Sequence, residues 1–162
     1  MGIYFPNQNI QEIGGSLNMT GGTVVQVQET RSTASLSCAN WSTQNFLFSG
    51  SITPISASNK ILVYMFIPFR MDAGGGTWSL GYIWLYRPDN TGTQIMRSGW
   101  NGTWRQTISS WQKTYLDSPN STATQTYSVY VGNYPTGTCY YNATSSSSHD
   151  GYAYLRLTEI SA

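Results

Sequence analysis

Side chains that could do acid–base chemistry are few in this sequence. It contains one histidine, His149, and seven acidic residues. His149 is followed directly by Asp150, and a histidine beside an orienting carboxylate belongs to a nucleophilic triad. A triad, however, collects its members from separate elements, whereas this pair ends a serine-rich stretch. We therefore predict a solvent-exposed loop here, and no catalytic residue.

Hydrolysis of a glycosidic bond needs two carboxyl groups about 5 to 10 Å apart in a cleft. Asp72 and Asp117 are the candidates that could converge. Asp72 precedes a glycine run and Asp117 lies in Asp-Ser-Pro-Asn, and both settings are typical of turns. We predict that the protein is not an enzyme, and a glycan-degrading activity is the least favoured alternative.

The sequence contains no motif typical of a metal or cofactor site. A single histidine and two distant cysteines supply no ligand cluster. The run Gly74-Gly75-Gly76 lacks the lysine and hydroxyl residue of a phosphate-binding loop. We predict no metal and no cofactor.

The tryptophans could have either a binding role or a packing role. Exposed aromatic side chains bind sugars or anchor protein contacts. The alternative is that they fill a sandwich or an oligomer axis, which fits Trp84 best because its neighbours are apolar strand residues. Trp100 and Trp104 lie instead among Gly and Asn, which predict a loop that presents the rings outward. Together with Arg105 they are our candidate contacts for a ligand or partner.

Length and charge restrict the function classes. A chain of 162 residues is long enough for one domain with a real core. Only 9% of the residues are charged and the net charge is +1, so the chain lacks the basic field that binds nucleic acid. No run approaches the roughly 18 apolar residues of a membrane span. We predict neither nucleic-acid binding nor membrane insertion.

The elements that must position these residues are short strands. Residues 60–69, KILVYMFIPF, predict a central strand buried on both faces, with Pro68 at its end. Around it, period-two patterns and turn residues predict eight to ten strands and no helix. The expected fold is all-β, an antiparallel β-sandwich of jelly-roll type formed by residues 23–162.

Residues 1–22 differ from the rest. They contain two glycine pairs and no sustained period, so we predict an extended arm in front of the sandwich. The arm contains apolar side chains whose exposure to water would be unfavourable, so we expect it to bind another protein surface. Four of them are the predicted attachment residues: Ile3, Tyr4, Phe5 and Ile10.

Three stretches carry a family resemblance. They are 115–131 (YLDSPNSTATQTYSVYV), 51–63 (SITPISASNKILV) and 152–160 (YAYLRLTEI). Their sequences resemble those of the C-terminal heads of small tail-fibre and virion structural proteins of tailed bacteriophages, especially marine and cyanobacterial ones. The resemblance covers about the C-terminal two-thirds of the chain and consists mostly of strand and turn residues.

The resemblance implies a virion surface protein that assembles in the bacterial cytoplasm as a homotrimer. Two roles follow from it. In the first, the protein is a capsid decoration or cement protein whose arm binds the major capsid protein or a tail or fibre protein. In the second, it is the receptor-binding tip of a tail fibre and recognises a glycan on the host surface. We favour the first, because no coiled-coil or repeated shaft precedes the head.

Cys38 and Cys139 each lie in or beside a predicted strand. A cytoplasmic assembly site, as the resemblance implies, keeps thiols reduced. We therefore predict two buried thiols. A disulfide could form only if the two strands are neighbours.

Overall fold

The computed structural model describes residues 10–13, 16–19, 22–39, 44–72, 79–102, 107–135, 138–142 and 152–162. Every regular element in these ranges is a β-strand, as the period-two patterns predict. The strands are β1 (Ile10–Ile13), β2 (Ser16–Met19), β3 (Val24–Ser32), β4 (Leu36–Ala39), β5 (Asn45–Ile52), β6 (Lys60–Asp72), β7 (Ser79–Arg87), β8 (Thr93–Gly102), β9 (Thr107–Asp117), β10 (Gln125–Pro135), β11 (Thr138–Tyr141) and β12 (Ala153–Ile160).

Ten of these strands form two sheets. The small sheet has the order β5-β10-β7-β8, and the large sheet has the order β3-β12-β6-β11-β4, with β9 on the other edge of β6. All their pairings are antiparallel. The predicted all-β antiparallel sandwich is confirmed. Among the described residues, no helix is long and apolar enough to cross a membrane.

β6 is the central strand of the large sheet, as predicted. Along one edge it pairs first with β12 and then with β11, and along the other it pairs with β9. The prediction that it is buried on both faces is wrong for its first half: Ile61, Val63 and Met65 are buried, but Tyr64 and Phe66 are only partly buried. These two rings lie on the outer face of the sheet, where both pack beside Tyr154 of β12.

Pro68 lies inside β6, since the strand continues to Asp72. Our prediction placed Pro68 at the strand end because a proline has no N–H to donate. The carbonyl of Pro68 accepts a hydrogen bond from the backbone N–H of Asn142, at 2.7 Å. The proline therefore faces the junction between the start of β12, which pairs with Phe66, and the end of β11, which pairs with Phe69. At that junction no strand needs the missing donor.

The core between the sheets consists of the alternate side chains that face inward. They are large, aliphatic or aromatic, and almost fully removed from water, which is the dominant favourable term in folding. The fully buried members with the largest side chains are Ile52, Ile61, Met65, Ile67, Phe69, Ile83, Leu85, Tyr127, Tyr141, Leu155 and Leu157.

Polar contacts also join the two sheets. The hydroxyl of Tyr141, in the large sheet, donates to the carbonyl of Gly132, in the small sheet, at 2.6 Å. At one end of the sandwich, Asp117 of β9 pairs with Arg87 of β7 and accepts a hydrogen bond from the Tyr127 hydroxyl of β10, at 2.8 Å. Asp117 is buried. The turn aspartate expected from the sequence is therefore a bridge between sheets.

β7 and β8 form a hairpin around Pro88. The two strands pair from Arg87 and Thr93 to Ser79 and Gly102, with one register shift between Leu85 and Tyr86. Asp89 closes the turn, because its side chain accepts hydrogen bonds from the backbone N–H and hydroxyl of Thr91 and its carbonyl accepts one from the Gly92 N–H.

The arm segment contains one element that its sequence did not reveal. β1 pairs with β2 from Ile10 and Met19 to Ile13 and Ser16, which makes a two-stranded sheet separate from the other two. Four-residue strands are too short for a recognisable period.

Candidate binding surface

The outer face of the large sheet carries a regular array of side chains on four neighbouring strands, β9, β6, β12 and β3. The strand register places them in three rows of four. We call these twelve residues the outer grid. Its rows are Gln112, Phe66, Tyr154 and Arg31; Thr114, Tyr64, Arg156 and Glu29; Leu116, Leu62, Thr158 and Val27.

Aromatic rings occupy the middle of the outer grid. The ring of Tyr154 stacks on Phe66 with centroids 5.4 Å apart and lies 5.6 Å from that of Tyr64. Tyr152, just before β12, extends the series at 6.1 Å and is 45% exposed. Offset and tilted pairs at these distances attract one another. The rings therefore form a continuous apolar strip while part of each remains open to solvent.

Charge at the edge of the outer grid is concentrated in one triad. Glu29 lies between two arginines: Arg31 Nε donates to one carboxylate oxygen at 2.7 Å, and Arg156 donates to the other through Nη2 at 2.7 Å and Nε at 3.0 Å. The hydrogen bonds from Arg31 and Arg156 hold the pKa of Glu29 below its ordinary value. The carboxylate in turn raises the pKa of both arginines. The triad keeps one net positive charge.

The arginines also contact the aromatic strip. The guanidinium of Arg31 lies 5.2 Å from the ring centre of Tyr152, and that of Arg156 lies 5.8 Å from that of Tyr154. A hydrogen bond with Tyr64 raises the pKa of the Tyr154 hydroxyl, and burial raises it further. This hydroxyl therefore stays protonated at neutral pH. The surface offers ring faces beside guanidinium donors, a carboxylate and neutral phenols.

The size of the outer grid limits what it can bind. Three strand spacings and two row spacings make it roughly 14 Å by 13 Å. That area, on the order of 200 Å², is well below the ~800 Å² that each partner buries in a stable protein interface. The grid alone thus suits a short chain of small rings, such as an oligosaccharide, better than a folded protein.

The small sheet also carries aromatic rings on its outer face, but they are covered. Trp84, Tyr86 and Tyr130 keep only 8%, 5% and 8% of their surface exposed. The guanidinium of Arg97 lies 4.8 Å from the ring centre of Tyr82, which stacks on Trp84. Trp84 is buried, but it does not fill the core between the sheets; its ring packs on the outer face beside Tyr82. Trp111 is buried in that core.

Most of the contact residues predicted from the sequence lie outside the described residues: Ile3, Tyr4, Phe5, Trp104 and Arg105. Ile10 begins β1. Trp100 lies in β8 opposite Gly81, so the prediction that it lies in a loop is wrong. Gly and Asn favour turns, but β7 is long enough to supply backbone partners as far as Gly102, and strand pairing overrides that local preference.

The candidate glycosidase carboxylates do not converge. Asp117 lies opposite Ile61 near the start of β6, whereas Asp72 is the last residue of β6. Eleven residues of extended chain separate their positions along the strand by roughly 35 Å. A retaining or inverting pair needs less than a third of this distance. His149 and Asp150 lie outside the described residues.

The carboxylates whose side chains are described all have structural partners. Glu29 binds two arginines, Asp89 closes a turn, and Asp117 bridges the sheets. Glu159 is fully buried and accepts hydrogen bonds from Gln26, Asn59 and the backbone N–H of Ile55. Within the described residues no three His, Cys, Asp or Glu side chains cluster in a way that could hold a metal.

Sequence reasoning missed the outer grid, although part of its signal was present. Tyr152, Tyr154 and Arg156 alternate in YAYLRL, and Tyr64 and Phe66 alternate in ILVYMF. Alternation places each set on one face of its strand. Recognising the grid also requires knowing that β12 lies between β6 and β3, and this strand order cannot be read from local sequence patterns.

No family model and no curated protein matches this chain. Solved structures of infectious bursal disease virus show a partial likeness. A T13 particle of this virus matches with a TM-score of 0.46 and 11% identity, over 94% of this chain and 41% of that one. A T=1 particle of a mutant VP2 protein matches with a TM-score of 0.43 and 10% identity, over 94% and 42%. The chain spans less than half the length of these proteins.

Proposed function

We propose that the protein is a non-enzymatic structural protein of a bacteriophage virion surface. Its sequence resemblance to phage virion proteins supports the class of particle. The described carboxylates support a structural role, because Glu29, Asp89, Asp117 and Glu159 each accept hydrogen bonds from other residues of the chain. The only pair considered for glycoside hydrolysis is separated by most of the length of β6.

The separate hairpin of β1 and β2 is the observation that supports a role as a capsid decoration protein. β1 and β2 pair with each other and, among the described strands, with no strand of the sandwich. A two-stranded hairpin is marginally stable by itself in water, so this one needs another surface for lasting order. We propose that the arm, residues 1–22, binds a neighbouring virion protein such as the major capsid protein, through Ile3, Tyr4, Phe5 and Ile10. The sandwich, residues 23–162, then projects from the particle.

Self-association as a homotrimer is part of the proposal. β3 is an edge strand of the large sheet, and its Val24 and Val27 are 57% and 49% exposed. An exposed apolar edge strand favours pairing with another chain. Three copies that cover these edges against one another would remove the apolar surface from water.

Deleting residues 1–22 tests the attachment role. We expect the truncated protein to keep the sandwich and its thermal transition but to lose at least tenfold in occupancy on purified particles, because the binding segment is gone. Occupancy is measured by quantitative immunoblotting of particles assembled without the wild-type protein. The control replaces Ile3, Tyr4, Phe5 and Ile10 together by serine and should lose a similar amount. Unchanged occupancy of both variants would exclude the arm as the attachment element.

The outer grid supports a second candidate role, in which the protein recognises a host surface glycan. Ring faces of Tyr64, Tyr152 and Tyr154 beside the guanidinium groups of Arg31 and Arg156 combine stacking surface with directed hydrogen-bond donors. Small-ligand sites typically combine these features. Binding at the grid is compatible with attachment by the arm, since the two use different parts of the chain.

Replacing Tyr152 and Tyr154 by alanine tests this second role. We expect the double variant to weaken adsorption of particles to host cells about tenfold or more, since each lost ring contact contributes about 1 kcal/mol. Tyr115→Ala is the matched control, because Tyr115 is 40% exposed, close to the 45% of Tyr152, but belongs neither to the outer grid nor to the aromatic strip. The same assay on Trp100→Ala and Trp104→Ala tests the sequence-predicted contacts. Equal adsorption of the grid variant and the control would exclude the grid.

A further inference from the structure

The two cysteines are direct cross-strand partners. In the antiparallel pair of β11 and β4, Cys139 lies opposite Cys38. Both side chains are on the inward face and are 0% and 1% exposed, and both are thiols in the structure. The sequence left open whether their strands are neighbours; the register shows that the residues themselves face each other.

We infer that Cys38 and Cys139 form an intramolecular disulfide when the protein meets an oxidising environment. Directly opposite residues in an antiparallel pair have Cα atoms about 4.5 or 5.5 Å apart, depending on the hydrogen-bonding position. Disulfides join Cα atoms about 4.4 to 6.8 Å apart. Both spacings fall in this range, so the bond needs side-chain rotation and little movement of the backbone.

The position of β4 provides access to these buried sulfurs. β4 has four residues and pairs with β11 alone among the described strands. A short edge strand opens more readily than the centre of a sheet. The contact between Asn45 Nδ2 and Cys38 Sγ, at 3.5 Å, links β4 to the start of β5 and breaks when β4 opens.

A small-molecule disulfide, such as oxidised glutathione, is a sufficient oxidant. The thiolate of one cysteine attacks it, forms a mixed disulfide and releases one small thiol. The thiolate of the second cysteine then attacks the mixed disulfide, forms the Cys38–Cys139 bond and releases the second small thiol. The two cysteine sulfurs are oxidised, the reagent is reduced to two thiols, and the cysteine protons end on those thiols.

The bond would fasten the edge strand β4 to the large sheet. It closes a loop of about 100 residues, and a link across a loop of that size restricts the unfolded chain strongly. The expected rise in Tm is about 10 °C. If the protein is assembled in a reducing cytoplasm, which rests on the proposed function, the bond would form after the particle leaves the cell.

Refolding in a redox buffer tests the inference. The full chain is unfolded in denaturant with a reductant, then refolded in a mixture of reduced and oxidised glutathione and acid-quenched. We expect an intact mass lower by two hydrogen atoms, one peptide that links Cys38 to Cys139, and a Tm about 10 °C above that of the reduced protein. Cys38→Ala and Cys139→Ala should show neither the linked peptide nor the rise.

A cooperatively folded product that keeps both thiols under these conditions would overturn the inference, as would cysteines linked only between chains. The double variant Cys38→Ala, Cys139→Ala shows whether the fold itself tolerates removal of the sulfurs. Its Tm should equal that of the reduced protein within a few degrees and should not respond to oxidant. The measurement uses isolated protein, so its result is independent of any role on a particle.

Discussion

Replacing Glu159 by glutamine is expected to lower the free energy of unfolding by about 3 kcal/mol. Glu159 is fully buried in β12. Its carboxylate accepts hydrogen bonds from Gln26 Nε2 at 2.6 Å, Asn59 Nδ2 at 2.6 Å and the Ile55 N–H at 2.8 Å. A glutamine would turn its NH₂ group toward one of these donors, and a buried donor without an acceptor costs about 1 to 3 kcal/mol, in addition to the lost charge-assisted bonds.

Chemical denaturation at pH 7 measures this effect, and thermal melting should show a Tm lower by roughly 6 to 12 °C. Glu29→Gln is the matched control. It makes the same chemical change on the neighbouring strand β3, but Glu29 is partly exposed and its partners are surface arginines, so we expect little change in stability. Equal effects of the two substitutions would contradict the structural role of Glu159.

Acid should remove this contribution of Glu159. Burial raises the pKa of its carboxyl group, but hydrogen bonds from Gln26, Asn59 and the backbone of Ile55 and Ser56 outweigh burial, and the pKa lies below the ordinary value of 4.5. The folded state therefore binds the proton more weakly than the unfolded state does. The stabilisation is complete above pH about 4.5 and disappears as the pH falls through the folded pKa. Wild type and Glu159→Gln should thus converge in stability toward low pH.

The strands of the sandwich could be predicted because their information is local. The all-β class and the absence of helices followed from period-two patterns and turn residues along the chain. The centre of the large sheet followed from one apolar run, 60–69. These features depend on period-two patterns and turn chemistry, which a sequence displays directly.

What was missed depends on pairings between distant strands. β12 lies between β3 and β6, and only this order brings Arg31, Tyr154 and Phe66 into one row. The same holds for Cys38 and Cys139, whose strands were predicted but whose register was not. Asp117 was assigned to a turn because its neighbours are Ser, Pro and Asn. It lies one residue before that turn, and its partners come from the other sheet.

Replacing Asp117 by alanine is expected to have the largest effect of any substitution considered, a loss of about 3 to 5 kcal/mol in the free energy of unfolding. Asp117 joins the sheets by pairing with Arg87 and accepting the Tyr127 hydroxyl, and its second oxygen accepts the Ser118 N–H at 2.9 Å. The Arg87 and Asp117 side chains keep only 21% and 12% of their surface exposed, and removing one partner of such a largely buried pair leaves the other charge without its counter-ion. Burial and the bond to Asp117 hold the pKa of Tyr127 above its ordinary value, so that hydroxyl remains a donor that needs an acceptor.

Two comparison variants separate the contributions. Tyr127→Phe removes one hydrogen bond and leaves the ion pair, so it should lose only about 1 kcal/mol. The double variant Arg87→Met, Asp117→Leu removes both charges and should recover part of the loss, because an apolar pair can replace a buried ion pair at little net cost. Urea denaturation of the four proteins at pH 7 gives the comparison. If Asp117→Ala loses less than about 1 kcal/mol, the pair behaves as a solvent-screened surface pair; the sheets are then held together at this end by apolar packing alone.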